Sequence, residues 1–65
     1  MNNLKRIRES KELTARELAE LSGVAASTIR SYEIYRRDIN NASSIILYKL
    51  SKALDCTIED LLEIE

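Results

Sequence analysis

The sequence predicts an all-α fold of five short helices, and three observations carry that prediction. Proline is absent and glycine occurs once in 65 residues, so little in the chain interrupts a helix. Two segments, L-T-A-R-E-L at 13–18 and C-T-I-E-D-L at 56–61, each place threonine at a helix cap and an acid three residues later, the reciprocal pattern that satisfies the free amides of a helix start. Leucine and isoleucine recur at spacings of three and four, and no strand-like alternation is present. With three tyrosines and neither phenylalanine nor tryptophan, leucine and isoleucine must build the core. The length fits a single domain, 1–65, and a chain this short buries only about 60% of the surface its unfolded form exposes, so modest stability is expected.

The elements follow in order. The first helix is expected over about Asn3–Lys11, with Leu4, Ile7 and Arg8 inward. The second, Ala15–Ser22, starts from the Thr14 cap with Glu17 closing the box, and Leu18, Ala19 and Leu21 form its apolar stripe. Gly23 stops it, because a left-handed residue is wanted there and glycine adopts that conformation without strain. Val24 pins the turn. The third helix is expected over Ala26–Tyr35, with Ile29 and Tyr32 inward. A polar connection, Arg36–Ala42, precedes a fourth helix that starts after the Ser43 cap and runs to Leu54, with Leu47, Leu50, Ser51 and Leu54 inward. The fifth starts after Thr57 and ends near Glu63. Leu13 with Leu18 and Cys56 with Leu61 stand where hydrophobic staples need them. A helix, a short glycine turn and a second helix form the unit that lays a recognition helix into the DNA major groove.

Charge is polarised along the chain. The net charge is −1, yet all ten Lys and Arg lie at or before Lys52; ten cations against six acids give residues 1–52 a net of +4, and only acids follow. This fits a basic surface hidden by the mean; the alternative is a solvated helical surface with an acidic tail. A lone cysteine allows no intrachain disulfide, and neither a signal peptide nor a membrane-spanning run is evident, so the cytoplasm is the expected compartment. Cys56 reads as a small buried apolar residue; without histidine or a second cysteine no metal site or cofactor is implied. Catalysis is not expected: there is no glycine-rich phosphate loop, no Ser or Cys with a candidate base, and no small-molecule substrate is suggested.

Three stretches, L-K-R-I-R-E-S-K, L-T-x-x-E-L-A-E-L-S-G-V-x-x-S-T-I-x-x-Y-E and L-Y-K-L-S-K-A-L-D-C-T-I-E-D-L-L-E, together resemble the phage-repressor and Cro-like helix-turn-helix DNA-binding family over nearly the whole chain. The resemblance implies a five-helix lambda-repressor-like domain that binds double-stranded DNA as a small transcriptional regulator, with the third helix in the major groove. It implies a partly buried ion pair between Arg8 and Glu33, joining the first and third helices; the alternative is two unpaired surface charges. It also implies that the second helix points its N-terminus at a phosphate.

On that geometry Ala26, Ser27, Arg30, Ser31 and Ile34 share the outward face of the third helix. Ser27, Thr28, Arg30 and Ser31 are then the candidates for base or phosphate contact, and arginine suits guanine's two acceptors. Arg16, Arg36 and Arg37 suit phosphate contacts, with Lys5 and Arg6 widening the rim. The chain departs from the family where Ala15 replaces the usual glutamine, where Ala25 and Ala26 replace polar or longer residues, and where Ile34 replaces a polar one. Ile34, Tyr35, Ile45 and Ile46 stand near one loop and are read as an apolar patch for subunit contact in a homodimer, or else as a satellite core beneath the loop. A protein-interaction or oligomerisation module on the same scaffold is the alternative to the regulator.

Overall fold

A computed structural model of the chain describes residues 2–64. It contains five α-helices, α1 (Asn3–Ser10), α2 (Ala15–Ser22), α3 (Ala26–Glu33), α4 (Ser44–Leu54) and α5 (Ile58–Leu61), with one turn of 3-10 helix at Ile39–Asn41 and no strand among the described residues. Side chains cap four of the five starts. Asn2 Oδ1 accepts from the Lys5 amide at 2.8 Å, and Ser43 Oγ from the Ile46 amide at 3.2 Å. Thr14 and Glu17 close a reciprocal box at 3.0 and 2.8 Å, as do Thr57 and Asp60 at 3.1 Å in both directions. Only α3 starts bare: Ala25 occupies its cap position and offers no acceptor.

The helix stops are where the chain departs from expectation. Glu12, Tyr35 and Asp55 all adopt left-handed backbone, at φ of 58°, 62° and 52°, alongside Gly23 at 76°. Each non-glycine residue closes a two-bond helix stop. After α3, the Tyr35 amide reaches the Tyr32 carbonyl at 3.2 Å and the Arg36 amide reaches the Ser31 carbonyl at 2.9 Å. The same pattern ties Glu12 and Leu13 back to Glu9 and Arg8, and Asp55 and Cys56 back to Lys52 and Ser51. These stops shorten α1 to Ser10 and α3 to Glu33, where the sequence predicted Lys11 and Tyr35. The fifth helix ends at Leu61, short of Glu63, because Leu62 is extended.

The core is aliphatic around one tyrosine. Leu4, Leu18, Ile29, Leu50, Leu54 and Leu61 are sealed from solvent, with Ile7, Val24, Tyr32, Ile39 and Leu47 nearly so. Packing runs through α2 against both α3 and α4, through α1 against α3 and α5, and through α4 against α5. Leu13 and Cys56, the outer halves of the two staples, pack half-buried against this cluster. Cys56 is therefore less buried than its composition-based reading held, although burial and the nearby Asp60 and Asp55 still push its thiol pKa up.

Two expectations about burial fail. Leu21 is exposed, because the inward face of α2 runs through Ala15, Leu18, Ala19 and Ser22, and Leu21 lies about a third of a turn from the centre of that arc. Ile39, within the connection expected to be polar, is buried; the 3-10 turn around it swings its side chain into the core while Asp38 caps that turn through the Asn40 amide at 2.9 Å.

Candidate nucleic-acid interface

The glycine turn sets α3 against α2. Gly23 needs no close approach, since a Cβ there would meet nothing within 4 Å; it is required for its left-handed φ of 76° alone. Val24 is buried beneath the turn, and the Val24 amide donates to Ser22 Oγ at 3.1 Å. Ile29 and Tyr32 then anchor α3 inward, which turns Ser27 and Arg30 out to solvent. Thr28 and Ser31 flank that face and are half-buried. Ser31 Oγ donates to the Ser27 carbonyl at 2.9 Å, so its hydroxyl proton is engaged within the helix and its lone pairs face outward.

Arginines border this face. Arg16 is exposed in the first turn of α2, and Arg36 and Arg37 are exposed just beyond α3. The amides of Arg36 and Arg37 both donate to the Ser31 carbonyl, at 2.9 and 3.1 Å, so the helix stop fixes the backbone that carries both guanidinium groups. Lys5 and Arg6 lie exposed on α1. At the start of α2 the capping box uses the Thr14 and Glu17 amides; those of Ala15 and Arg16 have no partner among the described residues.

An ion pair fixes α3 against α1. Arg8 Nε and Nη2 donate to the two oxygens of Glu33 at 2.7 and 2.9 Å, and Arg8 Nη1 donates to the Leu13 carbonyl at 2.7 Å. The side chains are only 11% and 7% exposed. The Glu33 hydrogen bonds outweigh desolvation and push the Arg8 pKa above its ordinary value. The guanidinium thus spans the end of α1, the loop before α2 and the last turn of α3. A second tie escaped the sequence reading: Asn2 Nδ2 donates to the Tyr32 carbonyl at 3.0 Å, joining the cap of α1 to the end of α3. Asparagines at a helix start signal a cap, but nothing in sequence spacing says which distant carbonyl the amide nitrogen will find.

The expected apolar patch is only partly there. Ile34, Tyr35 and Ile45 are 64%, 60% and 61% exposed. Ile46 is not part of it; it sits on the flank of α4 and packs half-buried against the core. Tyr48 joins Ile45 on the outer face of α4, with Lys52 Nζ 5.4 Å from its ring centroid.

The glycine turn thus joins two packed helices, α2 and α3, in a helix-turn-helix arrangement. A helix-turn-helix family model of the Cro/C1 type matches residues 4–61. The chain belongs to that family. The match takes in all five helices but for Asn3, the first residue of α1, and this helix-turn-helix family is one of DNA-binding regulators. Comparison with curated proteins and with solved structures found no match. No helix among the described residues is long and apolar enough to cross a membrane, and no group of three His, Cys, Asp or Glu among them is placed to hold a metal ion.

Proposed function

We propose that this helix-turn-helix protein is a sequence-specific binder of double-stranded DNA, acting in the cytoplasm as a small transcriptional regulator with α3 in the major groove. The observation that carries the reading is the outer face of α3, where Ser27 and Arg30 are exposed and their side chains make no hydrogen bond to another side chain among the described residues. A helix about 10–12 Å across fits a groove about 12 Å wide. Arg30 reads base edges, with guanine its natural partner, and Ser27, Thr28 and Ser31 supply shorter contacts. Arg16, Arg36 and Arg37 bind phosphate, and the free amides at the start of α2 add to them. The bare start of α3 and the alanines at 15, 25 and 26 make the interface sparse, so affinity depends heavily on the arginines.

The reading includes a homodimer. The folded chain measures 27 × 21 × 20 Å, less than the roughly 34 Å between half-sites one duplex turn apart, so one copy covers one half-site. The exposed side chains of Ile34, Tyr35 and Ile45 are the surface assigned to the second copy.

Fluorescence anisotropy on duplexes enriched from a random pool tests the reading. If Arg16, Arg36 and Arg37 each neutralise one phosphate, log affinity falls against log salt with a slope of about −2.7 per subunit. Absence of binding at about 50 mM salt, where phosphate contacts are strong, would falsify the reading. Sedimentation separates the dimer from the DNA contact: Ile45→Glu shifts the protein toward monomer, and an unchanged sedimentation profile contradicts the assigned surface.

A further inference from the structure

Resting on the DNA-binding reading, we infer that Asn40 is a positioning residue for DNA contact: with Glu63 it straps the loop that carries Arg36 and Arg37 to both ends of the chain. The Asn40 side-chain amide pairs with the backbone of Glu63 through two bonds, Nδ2 to the Glu63 carbonyl at 3.1 Å and the Glu63 amide to Oδ1 at 2.8 Å. Glu63 in turn accepts the first amide of α1, that of Asn3, on Oε2 at 2.7 Å, and Asn3 Nδ2 donates to the Leu62 carbonyl at 2.8 Å. Asn2 completes the circuit by binding the Tyr32 carbonyl in the last turn of α3.

The loop is thus pinned at two points. At one end the amides of Arg36 and Arg37 hold the Ser31 carbonyl; at the other Asn40 holds Glu63, with Ile39 buried between them. Just before the first pin stands Tyr35 at φ 62°, a conformation that a β-carbon disfavours and that surrounding contacts must maintain. A guanidinium that meets a phosphate binds more tightly when its backbone is already ordered, because ordering it on contact subtracts from affinity. Residues 62–63 touch no surface assigned to DNA, yet they set how ordered the arginine loop is before DNA arrives.

The test is Asn40→Ala, measured in the wild-type background and in Arg36→Gln/Arg37→Gln, at a temperature where circular dichroism shows every variant folded. Losing the order of one loop residue weakens duplex binding by about five- to thirty-fold and leaves the salt slope near its wild-type value, because the same phosphates are still neutralised. In the double-glutamine background the same change costs no further affinity. Asn40→Asp, which keeps the acceptor for the Glu63 amide and loses the donor, falls between wild type and alanine, and substitutes if the alanine variant does not fold. No loss of affinity in the wild-type background, or an equal loss in both backgrounds, overturns the inference. Amide chemical shifts of Arg36 and Arg37 without DNA give a second readout: they move in Asn40→Ala if the strap orders the loop, and stay put if it does not. Should the wild-type protein bind no duplex, the DNA reading falls and these shifts alone decide the strap.

Discussion

Removing Arg8 should destabilise this protein more than removing Arg8 and Glu33 together. Arg8→Met leaves the Glu33 carboxylate nearly buried with both oxygens stripped of their partner, and the Leu13 carbonyl without its 2.7 Å donor. Breaking one side of a buried pair costs about 3–5 kcal/mol. A 65-residue chain has a total stability of only about 3–10 kcal/mol on the usual per-residue scale, so the single variant is expected to lose between about a third and all of it. Replacing both partners, Arg8→Met with Glu33→Leu, removes the stranded charge and leaves the Leu13 carbonyl as the main uncompensated group, at about 1–3 kcal/mol. The two changes therefore couple by several kcal/mol and are far from additive. Urea titrations followed by circular dichroism at 222 nm measure each variant. A loss under about 1 kcal/mol for Arg8→Met, or a double variant equal to the sum of the singles, refutes the reasoning. Because the pair holds α3, the refolded double variant should also lose DNA affinity out of proportion to its stability.

Other outcomes are expected from the caps and stops. Ala25→Ser gives α3 the acceptor it lacks and should raise stability by about 1 kcal/mol, which is about 4–8 °C in melting temperature, read by thermal denaturation. Tyr35→Gly relieves the left-handed strain after α3 and should add about 1 kcal/mol, while Tyr35→Val, β-branched at the same φ, should destabilise it. Gly23→Ala should lose about 1–2 kcal/mol through φ alone, since its Cβ meets no neighbour. The Thr57 amide and hydroxyl hold the Asp60 carboxyl below the usual aspartate range. A depressed folded-state pKa stabilises above the ordinary value and is lost as pH falls through the depressed one. A carbon-detected NMR titration should therefore place Asp60 below ordinary aspartates, and Thr57→Ala, which removes the hydroxyl and keeps the amide, should bring it part of the way back to them.

What the sequence reveals depends on how local the cause is. The capping boxes at Thr14 and Thr57 and the Gly23 stop are contained within four residues, and their chemistry is legible from residue type and spacing. Ala15–Ser22 follows from the Thr14 box and Gly23, and the fourth helix from the Ser43 cap. The three left-handed stops at Glu12, Tyr35 and Asp55 are not legible in that way. No glycine marks them, and tertiary packing maintains conformations that local preference opposes. Leu21 misleads because a stripe of leucines at helical spacing does not say which side the next helix takes; small residues, Ala15, Ala19 and Ser22, occupy the contact instead. Ile39 hides because one apolar residue in a polar stretch has no period. On the candidate interface, residue type and helix phase are enough to place Ser27 and Arg30 outward. The Asn2–Tyr32 and Asn40–Glu63 ties span 30 and 23 residues and leave no local signature.

The central claim is that the outward side of α3 meets DNA. Titrating the nitrogen-15-labelled protein with an enriched duplex tests it most directly. Amide shift changes should concentrate at residues 26–37 and at the start of α2, and Arg30→Ala should lose about 1–3 kcal/mol of affinity by an amount that varies with the base sequence. Changes confined to α4 and α5, or an Arg30→Ala variant that binds every duplex as the wild type does, would contradict it.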